Sequence, residues 1–168
     1  MLQVFLIGFM GAGKTTVGET LADAWNCPVY DTDACIVEAE QKTIPEIFAE
    51  NGEAYFRSLE KNMLKKLVQQ RGVITTGGGI ILLEENRQLL KKSGRTFFLK
   101  CEPKVFLDRL KDDCTRPIIK EKTPEDIIDI YKKRLPFYEQ SANIIIDTTS
   151  LTIQETVQTI EDITKRTC

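Results

Sequence analysis

Gly8-Phe9-Met10-Gly11-Ala12-Gly13-Lys14-Thr15 satisfies the pattern G-x-x-x-x-G-K-[ST] at every defined position. The glycines allow a tight turn that aims successive backbone N–H groups inward, from Gly11, Ala12 and Gly13 onward. Lys14 reaches β- and γ-phosphates, the Thr15 hydroxyl suits Mg²⁺, and Thr16 stands beside it at the start of a helix whose positive end faces the phosphates. An apolar run precedes the octet and a helical pattern follows it, as a phosphate-binding loop requires. This predicts nucleotide binding and leaves the reaction open.

A second group of residues fits an acceptor. Asp31-Thr32-Asp33 follows a short strand pattern, and a strand pleat through it would send both carboxylates to one side. One carboxylate can hold magnesium through water, and the other can accept a hydroxyl proton. Asp is also favoured at helix N-caps, which accounts for one of the pair. Arg57 has the planar fork that grips a carboxylate. Glu60 lies three residues on, where an ordinary surface ion pair would also place it. Gly77-Gly78-Gly79 ends a strand and lets a ligand approach the backbone, or is a flexible turn. Arg116 and Arg134 suit anions and suit a plain charged surface equally. Asp147 ends the run Ile144-Ile145-Ile146 and mimics an acidic metal strand, with a solvated strand end the better reading.

Composition narrows the classes. The 168 residues argue for one domain, with 42% hydrophobic and 29% charged residues. The net charge of −2 speaks against broad nucleic-acid binding. There is no histidine, which excludes His-based triads and His metal sites. Five cysteines without a C-x-x-C pattern fit reduced thiols in the cytoplasm, and no run is long enough to span a membrane. Neither D-x-x-G nor N-K-x-D occurs, which argues against a Ras-like GTPase. A motor ATPase usually needs a longer chain. A compact kinase fits the size and the polar stretch 112–123, which reads as a closing lid that excludes water.

These groups need a frame. Strands are expected at 2–7, 28–31, 73–76, 96–101 and 143–147. Helices are expected at 14–25, 32–41, 45–51, from Phe56 to Gly72, at 84–92 with Gly94 as the stop, at 103–111, at 124–139 with a kink at Pro136, and at 151–165. Strands alternating with helices predict a parallel sheet covered on both faces, with ligands beyond the strands' carboxyl ends. The fold class is α/β, a P-loop three-layer α/β/α sandwich with five strands.

Taken in order, GFMGAGKTTVG, DTD at 31–33, IFAENGEAYFRSLE at 47–60, GGG at 77–79, TRPI at 115–118 and KRLPFY at 133–138 resemble the shikimate kinases over essentially the whole chain. The resemblance implies strand order 2-3-1-4-5 and transfer of the γ-phosphoryl of ATP to the 3-hydroxyl of shikimate, a step toward chorismate and the aromatic amino acids. It implies ATP and Mg²⁺ as cofactors. The sequence is expected to give a monomeric cytoplasmic protein with neither a nucleic-acid nor a membrane partner. Carried over by position, Gly11, Ala12, Gly13, Lys14, Thr15 and Thr16 hold the nucleotide, and Thr15 and Asp31 the metal. Asp33 meets substrate hydroxyls as base or orienter. Arg57 and Arg134 grip the carboxylate, and Gly78 and Gly79 offer backbone. Phe48 and Phe56 wall the pocket, Glu60 steadies Arg57, Arg116 is the lid arginine, and Arg109 packs near the adenine. Residues 31–60 form the substrate region. The stretch after the last strand, Asp147-Thr148-Thr149-Ser150-Leu151, lacks an arginine that some members carry near the adenine. A kinase of another polyol acid, such as gluconate, and a non-catalytic nucleotide-binding protein are the alternatives.

Overall fold

The computed structural model describes residues 3–93, 95–111 and 122–166. Arg116, Gly94 and most of the expected lid lie outside them. Five parallel strands form one sheet: β1 (Gln3–Ile7), β2 (Val29–Asp31), β3 (Gly72–Thr75), β4 (Thr96–Lys100) and β5 (Ile144–Asp147), in the order β2-β3-β1-β4-β5. Among the described residues seven α-helices connect or flank them: α1 (Lys14–Trp25), α2 (Thr32–Glu40), α3 (Ile44–Leu67), α4 (Glu84–Lys92), α5 (Pro103–Leu110), α6 (Pro124–Ser141) and α7 (Ile153–Arg166).

The apolar run of β1 explains the layering. Its side chains alternate between two cores, as a strand buried on both faces must. Val4 and Leu6 pack with Val17 and Leu21 of α1 and with Val157 and Ile160 of α7. Phe5 and Ile7 pack with Leu64 of α3, Leu90 of α4, Phe106 of α5 and Tyr131 of α6. In β4, Phe97 and Leu99 join the first core and Phe98 the second.

The expected elements are present, with informative differences. The helices expected at 45–51 and beyond Phe56 are both present within α3 and are separated, as expected, by non-helical backbone at Gly52, where φ is 80° and ψ is 174°. Helix α6 carries Pro136 inside it, as expected, and extends to Ser141 rather than ending at 139. A reciprocal capping box of Thr123 and Asp126 starts that helix, so the described end of the expected lid stretch is a helix cap. A 3₁₀ turn, Ile80–Leu82, follows the glycines and has no counterpart in the sequence reading. Three residues are too few to carry a periodic signal. Among the described residues no helix is long and apolar enough to cross a membrane.

Helix α1 approaches β3 closely at Gly18, where an added Cβ would collide with the Thr75 methyl. Glycine to alanine inside a helix ordinarily stabilises by about 1 kcal/mol. Here overpacking should reverse the sign. Gly18→Ala should destabilise by about 1–3 kcal/mol in urea unfolding, and a gain in stability would refute this account of how helix and strand fit together.

Candidate active site

The phosphate loop joins β1 to α1. Gly11 and Gly13 have φ of 76° and 85°, where a side chain is strained. Gly13 is the N-cap of α1 and supplies no side-chain cap, so the first-turn N–H groups of the helix face the cleft. Lys14 folds back, 7% exposed, and donates to Gly8 O at 2.8 Å and Phe9 O at 2.9 Å. Thr15 and Thr16 are exposed. Ala12 is buried and donates its N–H to Phe9 O at 3.2 Å, which engages that group within the loop.

A cleft of about 590 Å³ opens beyond the strand ends. The loop and the start of α1 form one wall, Asp31, Asp33, Gly77 and Gly78 another, and Arg109 stands beside them. Arg109 reaches across from α5 and donates to Gly11 O at 2.9 Å. It is exposed, next to Gly13.

The two aspartates converge by a different route from the pleat invoked above. Strand β2 ends at Asp31, which caps α2; its Oδ1 accepts from the N–H groups of Asp33 and Ala34, each at 3.0 Å. Asp33 therefore belongs to the first helical turn, and the strand does not orient it. Asp31 Oδ2 accepts from the Thr75 hydroxyl at 2.7 Å. Both carboxylates line the cleft, so the cap and a place in the site coincide at Asp31.

Gly77-Gly78-Gly79 organises the acceptor side. A Cβ on Gly77 would lie 2.5 Å from Asp33 Oδ1, and one on Gly79 would collide with the Arg57 guanidinium. Gly78 lies against the phosphate loop, 3.4 Å from Met10 N by the same measure. The Gly77 N–H donates to the Thr32 hydroxyl at 3.0 Å, which ties the turn to α2.

Arg57 is not an ordinary surface partner of Glu60. Its Nη1 donates to Glu60 Oε2 at 2.6 Å and its Nη2 to Glu53 Oε1 at 2.9 Å. Glu60 is 1% exposed. Burial pushes the Glu60 carboxyl up to about 7, more than Arg57 and Arg134 pull it down, and Asp33 adds to the rise. Burial lowers Arg57, but Glu60 and Glu53 outweigh it and hold the guanidinium above its ordinary value. Arg57 also lies over the Phe56 ring, 5.5 Å from its centroid, and Phe48 packs on Phe56 at 4.9 Å between centroids. Arg134, on α6, donates to Gly78 O at 3.5 Å. Tyr138, one turn further along α6, donates to the same oxygen at 2.5 Å.

Thr75, Glu53 and Tyr138 were absent from the expected site. Glu53 and Tyr138 lie four residues from Arg57 and Arg134, a helical spacing that could have marked them. Thr75 acts across two strands and leaves no local trace. Asp147 is a solvated strand end, lowered by hydrogen bonds from Thr149.

A raised carboxyl favours the folded protein while protonated. Its contribution is complete below the ordinary 4.5 and is lost as the pH rises through about 7. The stability of the wild type relative to Glu60→Gln should therefore fall by roughly 2–3 kcal/mol between pH 5 and 8, read by thermal unfolding of both proteins across that range. A flat difference would mean that Glu60 stays ionised throughout.

Comparison with known proteins gives the family. The family model for shikimate kinase matches residues 10–165. A shikimate kinase of Bacillus cereus is 40% identical over 162 residues, covering 96% of this chain and 98% of the relative. The shikimate kinase of Acinetobacter baumannii, solved in complex with shikimate, superposes with a TM-score of 0.93 at 33% identity, covering 99% of this chain and 94% of the other. That of Aquifex aeolicus superposes at 0.84 with 38% identity, covering 98% and 96%. The chain, with its phosphate loop facing a cluster of arginines and carboxylates across three glycines, belongs to the shikimate kinase family.

Proposed function

We propose that this chain transfers the γ-phosphoryl group of ATP to the 3-hydroxyl of shikimate, releasing shikimate 3-phosphate and ADP. The observation that carries the reading is the opposition of two sites across one turn. On one side lies a phosphate loop with a buried lysine; on the other lie two arginines and a cleft-facing carboxylate. Shikimate offers the matching groups, one carboxylate and vicinal hydroxyls. The bound relative from Acinetobacter baumannii supports the choice.

Arg57 and Arg134 hold the carboxylate, with Phe48 and Phe56 beneath Arg57 and the backbone of Gly78 and Gly79 alongside. Asp33 meets the reacting hydroxyl and orients it or takes its proton. Lys14 and the backbone of Gly11, Gly13, Thr15 and Thr16 hold the phosphates, and Arg109 flanks the nucleotide. Arg116 keeps the role that its motif implies. Phosphoryl transfer asks mainly for alignment and neutralised charge, which these groups supply.

The donors present fit Mg²⁺. Among the described residues no group of three or more His, Cys, Asp or Glu could cage a metal. A hydroxyl and a carboxylate facing the cleft, at Thr15 and Asp31, suit an ion that keeps water and phosphate oxygens as its other ligands. Neutralisation of charge between the β- and γ-phosphates is what the ion supplies when bound. Cys27, Cys35 and Cys101 are free thiols, which fits a cytoplasmic protein. The reading takes the protein as a monomer acting as one kinase domain over 1–168.

ADP release in a coupled assay with ATP and Mg²⁺ should depend on added shikimate. Release with gluconate or another polyol acid instead would replace the acceptor, and ATP binding without any acceptor-dependent release would leave a binding protein. Arg57→Ala should abolish calorimetric shikimate binding while nucleotide binding persists. Asp33→Asn should lower turnover by roughly 10²-fold or more if it is a general base, and a small loss would assign it orientation alone.

A further inference from the structure

Tyr138 is a residue that this reading leaves without a role. Its ring is fully buried and stacks on Phe98 of β4, with centroids 5.0 Å apart and planes 17° from parallel. The ring is thus fixed by the core while the hydroxyl reaches the turn, where it donates to Gly78 O at 2.5 Å. Arg134, one turn earlier on α6, donates to the same carbonyl from 3.5 Å. Gly78 in turn lies between Gly77, which abuts Asp33, and Gly79, which abuts Arg57. Burial holds the phenol far above its usual range, against the influence of Arg134, so it stays a donor at any working pH.

We propose that Tyr138 is a positioning residue for the acceptor. Its hydroxyl pins the Gly78 carbonyl and so sets where the three-glycine turn presents its backbone, and where Arg57, Asp33 and Arg134 stand around shikimate. It acts through Gly78. The inference rests on the acceptor site proposed above. It adds a specific asymmetry: loss of the hydroxyl should harm the acceptor side and spare the nucleotide side, because the phosphate loop is held by its own contacts to Lys14 and Arg109.

The test is Tyr138→Phe, which keeps the stacked ring and removes one donor. Calorimetry would measure shikimate and, separately, ADP with Mg²⁺; steady-state kinetics would give KM for each substrate. The shikimate Kd and KM should rise about five- to tenfold, as loss of one hydrogen bond implies, with ADP affinity and the KM for ATP within twofold of wild type. Ile160→Val, in the core on the opposite face of the sheet, serves as a control for general loosening; it should lower the thermal midpoint without moving shikimate affinity. Unchanged shikimate affinity in Tyr138→Phe overturns the inference. So does equal weakening of both ligands, an equal shikimate loss in the control, or failure of Tyr138→Phe to fold, since the hydroxyl would then serve the fold. Absence of shikimate binding in the wild type would instead overturn the acceptor reading itself.

Discussion

A side-chain carbon at Gly77 or Gly79 would occupy the space that a functional group already fills, Asp33 at the first and the Arg57 guanidinium at the second. That steric fact decides how the site can be built. Asp33 enters from the start of α2, Arg57 from the middle of α3, and the phosphate loop from the end of β1. They meet because β3 lies between β2 and β1 and ends in backbone without side chains. The strand order therefore does chemical work: β3 borders both the strand that leads to Asp31 and the strand that leads to the loop. With β3 at an edge, no single turn would touch both halves.

Charge is organised by the same closeness. Lys14, Arg57 and Glu60 are largely withdrawn from water, and each is met by directed partners, backbone carbonyls for the lysine and an ion pair for the other two. A buried pair is weak support for stability, because desolvation offsets much of the attraction. The rise of Glu60 to about 7 reflects that balance. What the pair provides is orientation. Arg57 has three nitrogens engaged by Glu53 and Glu60, so its remaining freedom is small, as the proposed grip on a ligand carboxylate would require. Such rigidity lowers the entropic cost of gripping a small acid. Arg109, exposed and held at Gly11 O, has more freedom, and it lies on the nucleotide side.

The frame was legible because its signals are local. Helices α1 and α4 fall on the residues that periodicity assigns, and the strands lie within a residue or two of the apolar runs. The phosphate loop was legible for the same reason: its residues are contiguous, and their geometry is that of one turn. Closure of the acceptor side was less so. That Gly78 meets Tyr138, 60 residues away, and that Asp31 meets Thr75, 44 away, follows from sheet order. Sheet order is not encoded by any window of sequence, and here it came from resemblance. The break at Gly52 between two helical stretches was legible, because glycine is a local stop; the 3₁₀ turn after the glycines was missed because three residues carry no periodic signal.

Asp31 shows why a structural and a functional reading of one residue need not compete. As an N-cap it uses Oδ1 for two N–H donors, and Thr75 engages Oδ2. Each interaction fixes the carboxylate plane, and together they leave little rotation about the side-chain bonds. A carboxylate oxygen carries more than one lone pair, so fixing the plane still leaves acceptor capacity toward the cleft, in a defined direction. The cap sets the start of α2, the start of α2 sets Asp33, and Asp33 rests on Gly77. The helix-capping preference of aspartate is thus the local force that brings the second carboxylate to the site.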